Sequence, residues 1–135
     1  MKYVMKIFIA VFFLMGYITQ AGAMIPQYKE PSVPVVVHQT SPYVEIVQPA
    51  NPTTGYSWKV KQMDVRLLQI VSSSYVPPVS QRAGAGGEMH WIFHALPAAF
   101  EQLNPVETTI ELQYARPWNT GENPKKSVFK IVFAK

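Results

Sequence analysis

The chain has 135 residues, 12 of them proline and none cysteine, with 15% charged residues, 13% aromatics and a formal net charge of +4. That length suits one globular domain, while prolines scattered from Pro26 to Pro124 interrupt the chain too often for the long helices of a bundle. The lack of cysteine excludes disulfide scaffolds, thiolate metal sites and cysteine nucleophiles, and the single aspartate, Asp64, leaves few routes to a carboxylate-based active centre.

The first segment reads as an address. Lys2 and Lys6 precede the apolar run 7–18, and Ala21-Gly22-Ala23 supplies the small residues a signal peptidase reads. A secretory signal peptide over 1–23, cleaved before Met24, is therefore expected. The product is expected in the periplasm or the medium. The uninterrupted apolar run has 12 residues, against roughly 20 for a span, so no membrane association is expected after cleavage. Cleavage removes two lysines and leaves ten basic and eight acidic residues, a net charge of +2. With no basic-aromatic stripe, and with Lys125, Lys126, Lys130 and Lys135 read as a solvated strand and turn, no nucleic-acid partner is expected.

Beyond the leader, short β-rich runs alternate with Pro, Gly, Asn and Ser clusters. They predict strands at 33–37, 43–48, 56–61, 67–75, 88–95, 106–114 and 127–133. Met89, Trp91, Phe93 and Ala95 share one parity, as do Ile110, Leu112 and Tyr114, and Phe129, Ile131 and Phe133; Glu111, Gln113 and Lys130 take the other. One face is core and the other is wet. The spacing predicts an all-β fold, an immunoglobulin-like antiparallel β-sandwich of seven to eight strands, without the inter-sheet cysteines of antibody domains. In an antiparallel chain the loops after the second, fourth and sixth of these strands emerge at one end. Those three carry the unusual chemistry.

In the first loop, Pro52 restricts itself and Asn51, and Gly55 can take a positive φ, so the loop is expected to be short and stiff. Its middle, Thr53-Thr54, offers hydroxyls and backbone groups without charge, which suits entry into a narrow polar cleft. The second loop, 76–87, ends Gly84-Ala85-Gly86-Gly87, where missing side chains let a backbone approach a partner. No Lys-Ser/Thr and no helix follow it, which excludes a phosphate loop. In the third, Trp118 directly follows Pro117 beside Arg116, the composition of a binding hot spot; the bland alternative is Trp118 folded back with Arg116 stacked on it.

Catalytic readings fail on geometry. His90 and His94 are spaced as a helical metal pair, but on a strand they sit about 13 Å apart, and both are expected to be surface residues; His38 has no evident partner. No serine lies in a strand-to-helix elbow. No catalytic residue, metal or cofactor is expected. Trp58, Trp91 and Phe93 are assigned to the core, with Tyr56 supporting the first loop from beneath.

Taken together, Asn51-Pro52-Thr53-Thr54-Gly55-Tyr56-Ser57-Trp58, Gly84-Ala85-Gly86-Gly87 and Tyr114-Ala115-Arg116-Pro117-Trp118 resemble the three signature loops of the chagasin family, in order and spacing over nearly all the mature chain. The resemblance implies an immunoglobulin-like sandwich that inhibits papain-like cysteine proteases reversibly, competitively and without a covalent step. A monomer is expected, although no motif in the sequence speaks to oligomeric state. Carried over by position, Asn51, Pro52, Thr53, Thr54, Gly55 and Tyr56 belong to the loop over the protease's catalytic residues. Arg116, Pro117 and Trp118 would flank one side of the cleft, and Gly84, Ala85, Gly86 and Gly87 the other. The connection 96–105 is longer than the family's usual one, and 24–31 is a proline-rich extension. A different class of function, a secreted adhesive or glycan-binding module stacking its exposed aromatics on a ligand, uses the same tip but has no need of the Thr-Thr-Gly and Gly-Gly loops.

Overall fold

Apolar side chains at every second position give each strand one face to bury, and two such faces packed together form the core. A computed structural model describes residues 24–80, 84–119 and 123–135; the expected signal peptide, 1–23, lies outside the described residues. Eight strands form, β1 (Gln27–Tyr28), β2 (Val35–His38), β3 (Tyr43–Ala50), β4 (Ser57–Gln62), β5 (Leu68–Val76), β6 (Gly87–Ala95), β7 (Glu107–Ala115) and β8 (Lys125–Ala134). They make two four-stranded sheets, ordered β1-β3-β6-β5 and β2-β8-β7-β4. Val35, Val37, Val44, Ile46, Phe93, Ile110, Leu112, Phe129 and Ile131 are wholly or almost wholly buried between them.

All seven expected strands are present, with ends shifted by one or two residues. The sandwich and its core parity follow the expectation: Trp91, Phe93, Ala95, Ile110, Leu112, Phe129, Ile131 and Phe133 all face inward. The central pairings, β3–β6, β5–β6, β4–β7 and β7–β8, are antiparallel, but β1 joins β3 and β2 joins β8 in parallel. The N-terminal segment thus splits between the sheets, β1 on one edge and β2 on the other. β1 was not expected, because two residues in a proline-rich stretch carry no periodicity. It is held by register with Glu45 and Ile46 and by the Gln48 side chain, whose Nε2 donates to Lys29 O at 2.8 Å.

Two further departures arise from the third dimension. β5 buries only Leu68 and runs exposed thereafter, its register with β6 shifting between Ile70 and Ser72, so it overhangs the core as an edge. The connection 96–105 folds a 3₁₀ turn, Pro97–Phe100, whose Ala99 and Phe100 are buried; Phe100 meets Phe133 edge to face at 5.8 Å and closes the end of the sandwich opposite the three loops. At that end too, Asp64 holds the β4–β5 turn. The hydrogen bond from Arg66 and then its charge hold the Asp64 carboxyl below the usual carboxylate range.

Candidate functional site

The pairings Ala50 with Gly87, Val76 with Glu88, Ser57 with Ala115 and Tyr114 with Lys125 bring the three loops to one end. A ladder of aromatic rings connects that end to the core. Trp91 meets Trp58 edge to face at 6.2 Å, Trp58 stacks on Tyr114 at 4.8 Å, Tyr114 stacks on Tyr56 at 5.3 Å, and the Arg116 guanidinium lies 4.5 Å from the Tyr56 ring centre. From Trp58 to Arg116 successive groups come in turn from the β4 and β7 segments, so the third loop starts on a ring supplied by the end of the first loop.

Hydrogen bonds then fix the first loop. Pro52–Thr54 form one 3₁₀ turn, in which Thr54 and Gly55 N–H donate to Asn51 O and Pro52 O. The Thr53 hydroxyl donates to Asn51 Oδ1 and the Thr54 hydroxyl to Asn51 O, both at 2.6 Å. The hydroxyl protons expected to face a partner are therefore committed within the loop, and what remains on offer is their lone pairs and the exposed methyl groups. From outside the loop, Asn51 N–H donates to Tyr114 Oη at 3.0 Å, Asn51 Nδ2 to Gly84 O at 3.3 Å, and Arg116 Nε to Thr54 O at 3.1 Å. Asn51 thus ties the first loop to the second and to β7, and Arg116 ties it to the third. Below it, Ser127 Oγ donates to the buried Gln48 Oε1 at 2.9 Å and rivets the two sheets.

Trp118 is 71% exposed, as its place after Pro117 predicts. Arg116 stacks on Tyr56, so the bland reading of an Arg116–Trp118 stack does not describe the loop. Trp118 leans instead on Gly55: a β-carbon at residue 55 would lie 2.6 Å from Trp118 Cη2. Gly55 also has φ 81°, a left-handed conformation that penalises any side chain. Gly55→Ala is accordingly expected to cost about 1–2 kcal/mol of stability and to push the Trp118 ring off its seat. Thermal melting and Trp fluorescence would report both; an unchanged spectrum would show that the two residues are not coupled.

Of the second loop, Gly84 and Gly86 are exposed and Ala85 half-exposed, whereas Gly87 is the first residue of β6 and buried. A β-carbon there would lie 2.2 Å from Val76 O, so the missing side chain of Gly87 lets β5 and β6 close and is not presented to a partner. Tyr114 also supports the first loop, through its hydroxyl, a role that was missed because the hydroxyl's partner lies 63 residues away.

His90 and His94 have structural partners. His90, expected at the surface, has a side chain only 17% exposed and bridges Glu45 at 2.7 Å and Glu88 at 3.1 Å; His94 stacks on Tyr43 at 4.5 Å. Among the described residues no group of three or more His, Cys, Asp or Glu is placed to hold a metal ion, and no helix is long and apolar enough to cross a membrane. The site is a rigid, uncharged loop between a glycine-rich loop and an Arg-Pro-Trp loop, a docking surface in form.

The family model for the chagasin family peptidase inhibitor I42 matches residues 39–133, which include all three loops. Chagasin from Trypanosoma cruzi is 34% identical over 92 residues, covering 65% of this chain and 76% of that protein. Amoebiasin-1 from Entamoeba histolytica is 29% identical over 89 residues, 64% of this chain and 78% of its own. The fold resembles the crystal structure of the cysteine protease inhibitor EhICP2 from Entamoeba histolytica, with a TM-score of 0.62 at 22% identity over 82% of this chain and 96% of that one. It likewise resembles the solution structure of Amebosin, with a TM-score of 0.60 at 24% identity over 82% and 99%. With the matched region taking in three of the four strands of each sheet and every loop of the tip, this protein belongs to the chagasin family of cysteine protease inhibitors and is not an enzyme.

Proposed function

We propose that the three loops block the active-site cleft of a papain-like cysteine protease as a reversible, competitive, non-covalent plug, with the exported domain 24–135 acting in the periplasm or the medium. The observation that carries this reading is the network around Asn51, which fixes the first loop to both neighbours before any partner arrives. A preformed wedge loses little entropy on docking. In this arrangement Pro52, Thr53, Thr54 and Gly55 enter the cleft, Trp118 packs on apolar protease surface on one side, and Gly84, Ala85 and Gly86 press backbone against the other. Inhibition needs no nucleophile or metal from this chain, because filling the cleft excludes substrate.

Titration of residues 24–135 against papain and a cathepsin-L-like protease, with a fluorogenic peptide as substrate, is expected to give competitive inhibition that disappears on dilution. Inhibition that persists after dilution, or is independent of substrate concentration, would overturn the competitive plug. No inhibition of either enzyme at micromolar inhibitor would count against the reading as a whole.

A further inference from the structure

The described cations divide into those that pair with a carboxylate and those that do not. Lys29, Arg66, Lys126 and Lys130 each pair with a carboxylate, Glu88, Asp64, Glu111 and Glu107 respectively, at 2.9–3.5 Å. Lys59, Lys61, Arg116, Lys125 and Lys135 form no ion pair with any carboxylate among the described residues, and three of these five, Lys59, Arg116 and Lys125, stand at the loop end. Lys59 and Arg116 line a groove of about 310 Å³ on the outer face of the β4–β7 pair, at the base of the third loop. Lys125 lines another of about 290 Å³ between the sheets, beside Asn51, Gly86 and Tyr114. Among the described residues no carboxylate lines either groove. Arg116 is held by Thr54 O and the Tyr56 ring, which orient its guanidinium without neutralising it.

We propose that this end is matched to a protease whose cleft is rimmed by carboxylates, with Lys59, Arg116 and Lys125 as the complementary charges. This rests on the function proposed above and adds the chemistry of its partner. The uncharged first loop fills the cleft, where a charge would have to be desolvated, while the cations stand at the margins, where water remains. Charges so placed act on encounter: they accelerate association and repel partners with a basic rim more than they tighten the final complex.

The test measures association and dissociation rate constants against a papain-like protease with an acidic cleft rim, at about 20 and about 300 mM NaCl, where the screening length contracts severalfold. Association is expected to fall about tenfold across that range while dissociation barely changes. The double variant Lys59→Glu/Lys125→Glu should associate about tenfold more slowly at low salt and lose the salt dependence, with an unchanged melting temperature because both side chains are exposed. Lys61→Glu/Lys135→Glu, two exposed positions outside both grooves, makes the same change in net charge and should slow association far less. Inhibition with a flat salt dependence, or equal slowing by Lys61→Glu/Lys135→Glu, would overturn the charge matching and leave the cleft-blocking function standing. Absence of inhibition by the unmodified protein would overturn both.

Discussion

Replacing Trp118 by alanine is expected to weaken inhibition of a papain-like protease by about 2 kcal/mol or more, roughly 30-fold in the inhibition constant, and to leave the melting temperature where it was. The ring is 71% exposed, so its removal opens no cavity in the core. It leans on the Gly55 backbone, from which it projects as a large apolar surface at the tip. A side chain left in water by folding is a cost until a partner covers it, and a ring already resting on the Gly55 backbone is inexpensive to immobilise. The readout is a pair of measurements on one variant, inhibition constant and thermal melt. Equal inhibition by Trp118→Ala would remove Trp118 from the contact surface. A lowered melting temperature would show that the ring is part of the fold and that its loss of inhibition is indirect.

The two sheets were legible because their signal is local. Period-2 alternation in β6, β7 and β8 names the buried face outright, and Pro, Gly and Asn mark where each strand must stop. β1 left no such signal, since its place depends on Glu45, Ile46 and Gln48. The exposure of β5 was equally hidden: a register shift beside Val71 breaks the parity that its sequence would otherwise carry. At the tip, residue types that stand out by composition, Gly55, Arg116 and Trp118, were found, and their partners were not. Arg116 lies on Tyr56 instead of Trp118, Gly87 serves strand packing, and His90 sits between Glu45 and Glu88. Each of these depends on cross-strand register or sheet-to-sheet contact, which no window of sequence contains.

The opposite signature is expected of the other tryptophan at this end. Trp58→Ala should cost about 3–5 kcal/mol of folding free energy, the usual range for truncating a buried Trp, which in a domain of this size corresponds to a fall of roughly 10 °C or more in melting temperature. Trp58 is only 9% exposed, touches Trp91 on the core side and Tyr114 on the loop side, and donates Nε1–H to Pro49 O at 2.9 Å. Its loss therefore opens a cavity and strands a carbonyl at the point where β3 enters the first loop. Domains of this kind have about 5–15 kcal/mol in hand, so a large folded fraction should persist at 25 °C. Inhibition measured on that folded fraction then tests something stability cannot: whether the ladder from Trp58 through Tyr114 to Asn51 holds the loop in shape. Trp58→Phe separates the two effects, because it keeps an aromatic ring in the stack while removing the hydrogen bond, at about 1–3 kcal/mol for the unpaired carbonyl. If folded Trp58→Ala inhibits as well as the unmodified chain, the first loop holds its shape through its own 3₁₀ turn and Asn51 bonds. If its inhibition falls beyond the loss of folded protein, the core is what sets the geometry of the tip.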